Sequence, residues 1–337
     1  MDRSETESPE LQPRQRVGTI GNYGRFRLVA DLEPMEVTFL LIAFVSIVGA
    51  AIITIVRIKE SENGDSDFTF AVLLLVNLIF ILYYTFHGVF CERPFELLAS
   101  VAATVVVLLY CVVEYAICGK NSHGSNWDLK LGRLIVICVL GPIDIVLGSI
   151  IASRFYQSKG LIFRTVGGNA ALQNMCQVMF IFTAFLKFDF QLVISLLILI
   201  LSGGYNHTEL AEKLIIGIGV PLSFFWVVLG FVMVRYELLK LSTAFWVISL
   251  TEPAYIIYLF VRTGKNFGTT DTILRVCIIG AGVLALLIRG AVVFLSYFVT
   301  RNFNKGLKEK VYGDGSNDTR ALPSEPPRNY DTISQPE

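Results

Sequence analysis

The sequence predicts an all-α fold, a polytopic bundle of about eight transmembrane helices. Its 337 residues are 54% hydrophobic and only 17% charged, whereas about a quarter of the residues in a soluble protein are charged. The mean hydropathy is +0.61. Apolar runs of about 20 residues, the length that crosses a hydrocarbon core of about 30 Å, recur along the middle of the chain. These observations indicate a multi-pass protein whose first partner is the lipid bilayer.

Eight apolar runs account for the predicted helices. They cover residues 36–56, 68–90, 95–118, 131–152, 175–202, 212–234, 243–261 and 271–300. The fifth is long, because a helix over residues 172–202 would measure about 46 Å at 1.5 Å per residue. We therefore expect its first turns to lie at the membrane interface. Seven spans are the alternative count.

Two polar tails flank the predicted transmembrane domain of residues 34–302. Residues 1–33 and 303–337 lack an apolar period, so we expect both to be disordered. Lysine and arginine in the short loops favour a cytosolic N-terminus, with twelve on that side against eight on the other. An even number of spans then leaves both tails in the cytosol.

Two short motifs point to processing and sorting. Asn206-His207-Thr208 is a glycosylation sequon, and Asn206 falls in an outer loop of this topology. Tyr330-Asp331-Thr332-Ile333 fits the Tyr-x-x-apolar pattern that endocytic adaptors read, with Tyr330 and Ile333 as its anchors. The tail therefore predicts an endocytic adaptor as a partner, and residence in the plasma membrane or the endosomal system.

Five ionisable side chains lie near the middle of apolar runs: Asp144, Lys187, Asp189, Glu252 and Arg289. A charge at membrane mid-depth costs roughly +2.5 to +3.5 kcal/mol, so it is rarely kept without a partner or a task. If each base neutralises one acid, one carboxylate remains, as a proton or cation site requires. We take the three carboxylates as candidates for a transport pathway, and the two bases as their counter-charges.

Spacing limits how these charges can pair. Lys187 and Asp189 are two residues apart, so they point about 200° apart around a helix and cannot pair with each other. Asp144 or Glu252 is then the expected partner of Lys187, and the remaining acids are the expected partners of Arg289. Buried ion pairs that only fix the helix register are the alternative interpretation.

Helix breakers accompany several of the charges. Pro142 precedes Asp144 by two residues, Pro253 directly follows Glu252, and Pro221 follows two glycines in the sixth run. A proline inside a helix leaves the carbonyl four residues earlier without its donor. Freed carbonyls beside a carboxylate are typical of transporter sites. Ordinary kinks, satisfied by neighbouring hydroxyls, are the alternative.

A short internal match suggests a duplication of a four-span unit. Phe95-Glu96-Leu97-Leu98 opens the third run, and Tyr236-Glu237-Leu238-Leu239 precedes the seventh. An offset of four spans is what a parallel repeat gives. However, Glu114 and Glu252 do not align under this offset, which favours coincidence.

Composition and motifs argue against several classes of function. The formal net charge is zero, so no overall basic field would attract nucleic acid. The sequence has no HExxH, GxSxG, Walker or dinucleotide-binding motif, and its six cysteines form no CxxC pair. We predict neither a cofactor nor a metal. An intramembrane enzyme that uses Asp144 and Glu252 as acid and base is a third hypothesis.

One stretch resembles a segment shared by a group of eukaryotic multi-pass membrane proteins. The residues that carry the resemblance are Arg164-Thr165-Val166-Gly167-Gly168, Leu172-Gln173-Asn174-Met175 and Leu186-Lys187-Phe188-Asp189-Phe190-Gln191. The group has no assigned activity. The resemblance therefore implies a eukaryotic membrane protein and supplies neither a site nor a substrate.

The leading hypothesis is a transporter or channel for a proton, a cation or a small solute. The alternative hypothesis is a receptor or adaptor-like protein. Its buried charges would only set helix packing, and its tails would carry out the function. A water-accessible cavity that reaches Asp144 or Glu252 would favour transport, whereas a dry and fully paired cluster would favour packing.

Overall fold

The computed structural model describes residues 17–19, 25–27, 29, 32–60, 66–118, 127–200, 210–265 and 272–312. The helices in this part of the chain are α1 Pro34–Glu60, α2 Ser66–Phe90, α3 Pro94–Cys118, α4 Trp127–Ser158, α5 Gly160–Val166, α6 Ala170–Ile200, α7 Leu210–Tyr236, α8 Leu239–Ser249, α9 Thr251–Lys265, α10 Thr272–Arg301 and α11 Leu307–Tyr312. Two three-residue strands, β1 Val17–Thr19 and β2 Arg25–Arg27, pair antiparallel before α1. The predicted all-α bundle is confirmed.

Eight segments of the described chain are long and apolar enough to cross a membrane, as predicted. They are Pro34–Val56, Phe68–Phe90, Pro94–Val112, Leu134–Phe163, Ala170–Leu199, Gly217–Tyr236, Leu239–Val261 and Arg275–Arg301. Large apolar side chains on their outer faces are exposed, among them Leu41, Leu109, Phe224 and Leu287. An apolar outer surface of this extent is stable in lipid rather than in water. The chain is an integral, multi-pass membrane protein.

The spans form two four-helix bundles of the same connectivity. In the first bundle, α1 packs against α2 and α4, and α3 packs against the same two helices. In the second bundle, α6 packs against α7 and α10, while α8 and α9 together take the place that α3 has in the first. Helix α6 also contacts α2 and α3, and these contacts join the two bundles.

Corresponding turns in the two bundles have the same backbone geometry. Glu92, between α2 and α3, and Glu237, between α7 and α8, have φ angles of 49° and 54°. Lys159, between α4 and α5, and Asn304, between α10 and α11, have φ angles of 46° and 60°. Left-handed conformations are uncommon for residues other than glycine. Glu92 and Glu237 are separated by as many residues as Lys159 and Asn304 are. A duplicated unit requires such a constant separation.

The register of this repeat differs from that of the short sequence match, for which coincidence was the favoured interpretation. The match of residues 95–98 with 236–239 pairs Glu96 with Glu237. Glu96 lies inside α3, however, whereas Glu237 lies in the turn before α8 and corresponds to Glu92. The short sequence match is therefore displaced by one helical turn from the structural equivalence.

The ordered region extends past the predicted boundary at residue 302. Helix α11 packs on the face of the molecule at which α1 begins, hereafter the N-terminal face, and its Leu307 is buried. The backbone N–H groups of Asn304 and Lys308 donate to Glu237 at 2.7 and 3.1 Å. Leu307 and Val311 recur at helical spacing, which explains how this polar segment still buries an apolar edge.

The N-terminal tail likewise contains structure that the prediction of disorder missed. Strand β2 lies beside the start of α1, where Arg27 forms ion pairs of 3.0 Å with Glu36 and 3.3 Å with Glu92. Glu36 is 3% exposed, so this acid in the first turn of α1 is balanced by a residue from the tail.

Of the three predicted helix breaks, only that of the seventh span divides a helix. Pro142 and Pro221 lie inside the continuous helices α4 and α7. The seventh span is interrupted at Leu250, between α8 and α9. There Thr251 Oγ1 donates to the Ile248 carbonyl at 2.8 Å, so a hydroxyl satisfies part of the backbone beside the break.

Candidate functional site

Three of the mid-span charges meet inside the second bundle. Asp189 lies on α6, Glu252 on α9 and Arg289 on α10, and each is at most 7% exposed. Arg289 Nη2 lies 2.7 Å from Asp189 Oδ2, and its Nε donates to Asp189 Oδ1 at 3.1 Å. The same guanidinium forms an ion pair with Glu252. Two-pronged Arg–carboxylate pairs are among the stronger ones, so this triad is a fixed element of the bundle.

Trp226 of α7 completes the surroundings of the triad. The Arg289 guanidinium carbon lies 3.6 Å from the centre of the Trp226 ring, within the range of a cation–π contact. Trp226 is 2% exposed, and its Nε1 donates to the Phe245 carbonyl at 3.2 Å. All four spans of the second bundle thus contribute to the environment of one guanidinium.

Lys187 has a different partner from either of those expected. Its Nζ lies 2.8 Å from Glu96 Oε1 at the start of α3, and it also donates to the Tyr83 hydroxyl at 2.8 Å. Neither Asp144 nor Glu252 takes this place. Glu96 is only 1% exposed, although a carboxylate at the end of an apolar run is expected to reach the interface.

Glu96 is the centre of a cluster between the two bundles. Arg93 Nη1 lies 3.2 Å from Glu96 Oε1, and His87 Nδ1 contacts Glu96 Oε2. Sequence reasoning missed Glu96 as a site residue. The available signal was its position three residues after Arg93, which is within ion-pairing range on one helical turn.

Asp144 is the mid-span acid that no base neutralises among the described residues. It lies on α4 with 9% of its surface exposed, and its Oδ1 has no hydrogen-bond partner in this part of the chain. The Ser46 hydroxyl of α1 lines the same cavity as the carboxyl group. Asp144 is thus a buried acid with a hydroxyl beside it and no described counter-charge.

A cavity of about 30 Å³ adjoins Asp144 inside the first bundle. Hydroxyls of Ser46, Thr85, Ser100 and Thr104 line it, and the described residues around it include no lysine or arginine. One water needs roughly 10–15 Å³ measured in this way. The cavity is therefore large enough for about two water molecules or a small ion beside the carboxylate.

The cavity and the triad occupy equivalent places in the two bundles. The same separation along the chain that relates the turns also relates Ile81 to Trp226, Val107 to Glu252, and Asp144 to Arg289. Ile81, Val107 and Asp144 all line the cavity, and their counterparts surround or form the ion triad. The first bundle thus has an acid and a cavity in the place where the charged side chains of the triad fill the space in the second bundle.

Several predicted sites are not brought together or not described. Asp144 and Glu252 lie in different bundles, so the paired acid and base of the enzyme hypothesis is not formed. Asn206, Tyr330 and Ile333 lie outside the described residues. Within the described ranges, no group of three His, Cys, Asp or Glu side chains is arranged to hold a metal ion.

Comparison with known proteins identifies a family. No curated protein and no solved structure matches the chain. The family model described as "Domain of unknown function (DUF7789)" matches residues 23–153 and 166–298. These two segments are nearly equal in length and cover most of the four spans of the first bundle and of the second, respectively. The matched residues make up well over half of the chain, which therefore belongs to the DUF7789 family.

Proposed function

We propose that this protein carries a proton or a small cation across the membrane, with Asp144 as the binding group. The observation that supports the proposal is a buried carboxylate that lies beside a cavity with four hydroxyl side chains in its lining and has no basic partner among the described residues. A dehydrated carboxylate without a counter-charge is too costly to persist, so it takes up a proton or binds a cation.

The lining of the cavity suits such a role. Ser46, Thr85, Ser100 and Thr104 present hydroxyl groups, each of which can accept as well as donate a hydrogen bond. They can therefore relay a proton or contribute oxygen ligands to a cation. A gap left by helix packing alone needs neither a carboxylate nor hydroxyl groups in its lining. In the second bundle the corresponding space is filled around Trp226.

Lys187, Arg289, Asp189 and Glu252 have supporting roles in this proposal. Arg289 holds Asp189 and Glu252 together, and the triad carries one more formal negative charge than positive charge. Binding one proton would neutralise it, so Asp189 and Glu252 remain candidates for a second step of the pathway. Lys187 balances Glu96 at the contact between the bundles.

The internal repeat also favours transport. Several transporter families consist of two parallel repeats, with the site near the bilayer midplane and with motion of one repeat against the other. Here the contacts of α6 with α2 and α3 include polar groups such as Gln191, which donates to Asn77 Oδ1 at 2.6 Å. Polar contacts that exchange partners permit such motion more readily than interlocked apolar side chains.

Flux through liposomes that contain the purified protein tests the proposal. We expect Asp144→Asn to abolish uptake of whichever of H⁺, Na⁺ or K⁺ the wild-type protein carries, and Asp144→Glu to retain part of it. Glu33→Gln is the matched control, because Glu33 forms an exposed pair with Arg154 at the N-terminal face. Absence of flux in the wild type, or wild-type flux in correctly folded Asp144→Asn protein, would overturn the proposal.

A receptor or adaptor-like protein is the second candidate, favoured by the paired triad and the paired Glu96 cluster. In that case the buried charges only set packing, the tails bind partners, and Asp144 can be replaced by asparagine without loss of function. The Tyr330 motif would then direct the protein to the plasma membrane or endosomes, and that localisation is part of this proposal.

A further inference from the structure

We propose that the species bound at Asp144 is a proton, and that it reaches the cavity from the N-terminal face through His87 and Glu96. The inference rests on the proposed function and specifies its substrate. It comes from a file of polar side chains between α2 and α3, with one contact near the turn at the N-terminal face and a second contact at the cavity.

The file consists of two contacts between these helices. His87 and Glu96 form the outer contact, nearest the turn between α2 and α3. Thr85 and Ser100 form the inner contact, with 2.8 Å between their hydroxyl oxygens, and both line the cavity. Ser100 follows Glu96 by one helical turn, a rise of about 6 Å, so the two contacts lie one above the other along α3.

The outer contact is open to the surroundings at His87 and closed at Glu96. The His87 side chain is 20% exposed, whereas that of Glu96 is 2% exposed. The charged and titratable groups of the described chain in this cluster include Glu96 from α3, Arg93 from the turn, Lys187 from α6 and Tyr83 from the same helix as His87. The Tyr83 ring is stacked on His87, with 5.2 Å between ring centres.

The charges of this cluster favour a proton over a metal cation. Lys187 Nζ and Arg93 Nη1 lie 2.8 and 3.2 Å from Glu96 Oε1. A metal cation on this route would have to pass both positive groups in a poorly solvated space, where like charges repel strongly. A proton need not pass as an ion, because imidazole, carboxyl and hydroxyl groups can each accept one proton while releasing another.

The proposed route moves one proton along the file, from the N-terminal face to Asp144. A hydronium ion at the N-terminal face gives one proton to the His87 ring and becomes water, and the ring passes a proton to Glu96. Glu96 then releases its proton towards Ser100. The hydroxyls of Ser100 and Thr85, with water in the cavity, relay a proton to the Asp144 carboxylate, which becomes a carboxylic acid. Each intermediate group regains its starting charge, the His87 ring is left in its other tautomer, and no electron is transferred.

Time-resolved infrared spectroscopy of the reconstituted protein tests this route. A rapid pH drop on the N-terminal face should produce a carboxylic C=O band that is absent in Asp144→Asn. In His87→Ala we expect the same final band, appearing at least about tenfold more slowly, and imidazole in the buffer should restore the rate. Ser100→Ala removes the inner hydroxyl without altering a charge and should also slow the band.

Ser149→Ala is the matched control, because Ser149 Oγ donates to the Ile145 carbonyl of its own helix and does not line the cavity. It should leave the rate unchanged. Wild-type rates in both His87→Ala and Ser100→Ala would overturn this route while leaving Asp144 as a proton site. Absence of the band in the wild-type protein, together with Asp144-dependent uptake of Na⁺ or K⁺, would overturn the proposal that the bound species is a proton. The proposed function would still hold in that case.

Discussion

Lys187 and Asp189 lie two residues apart on α6 and form ion pairs in opposite directions. Lys187 Nζ lies 2.8 Å from Glu96 on α3, whereas Asp189 Oδ2 lies 2.7 Å from Arg289 on α10. The opposed directions predicted from their spacing are confirmed by these contacts. One turn of α6 therefore connects the charge cluster between the bundles with the ion triad inside the second bundle.

Removal of Arg289 should destabilise the protein strongly. Arg289→Met leaves Asp189 and Glu252 buried without their base, and breaking a buried ion pair in this way costs about 3–5 kcal/mol. Replacing all three charges, with Asp189→Leu and Glu252→Met added, should recover most of the loss. Unfolding followed by tryptophan fluorescence in detergent measures both effects.

Arg154→Met provides the control for that experiment. Arg154 pairs with Glu33 at 3.1 Å, but both side chains are more than half exposed, so the loss should stay below about 1 kcal/mol. A loss of equal size in Arg154→Met and Arg289→Met would contradict the structural role assigned to the triad.

A methyl group at Gly88 should disturb the contact between α2 and α3. A Cβ atom there would lie 2.8 Å from Leu97 Cγ and 3.3 Å from the Leu97 backbone nitrogen, and overpacking of this kind costs about 1–3 kcal/mol. Gly132→Ala is the control, since no heavy atom of the described chain lies within 4 Å of its added Cβ, apart from its chain neighbours and the backbone of its own helix. Thermal unfolding should show Gly88→Ala destabilised and Gly132→Ala unchanged or stabilised by about 0.5–1 kcal/mol.

Glu237 should hold α11 on the N-terminal face. In Glu237→Ala the backbone N–H groups of Asn304 and Lys308 lose their shared acceptor, and losing a helix cap costs about 1 kcal/mol. We therefore expect faster proteolytic cleavage between residues 302 and 312, measured by mass spectrometry of the fragments. Glu309→Ala, an exposed position on α11, should be cleaved like the wild type, and equal rates in all three proteins would refute the capping role.

Tyr330→Ala should raise the surface fraction of the protein without altering its total amount. The Tyr-x-x-apolar pattern requires both Tyr330 and Ile333, so Ile333→Ala should have the same effect and Asp331→Ala should not. Surface biotinylation, with internalisation followed over the same interval, provides the measurement. Equal internalisation of the wild type and Tyr330→Ala would exclude the motif.

Much of the fold could be predicted because lipid imposes simple rules on the chain. A span must be apolar over about 20 residues, so the apolar runs alone identified the eight spans, most of them within a few residues of the observed ends. The opposed directions of Lys187 and Asp189 followed equally from helix geometry, which depends only on their spacing.

Which acids pair with which bases was decided by tertiary structure alone. Lys187 lies near the middle of its apolar run, but the first turns of α6 extend beyond the turn between α2 and α3. Arg93 of that turn lies over the Phe180 ring, with 5.1 Å between the guanidinium carbon and the ring centre. The position of a residue within its apolar run therefore does not give its depth in the membrane. Lys187 reaches Glu96 at the start of α3 rather than Asp144.

Asp144 shows the same division between sequence and structure. The sequence determined that the three mid-span acids outnumber the two bases, because that follows from counting. Only the packing of α1 to α4 decided that Asp144 lies apart from both bases, next to hydroxyls from three neighbouring helices. Helix packing brings together side chains that are distant in the chain. It therefore decided which of the three acids lies without a base and beside a cavity, and so identified Asp144 as the candidate site.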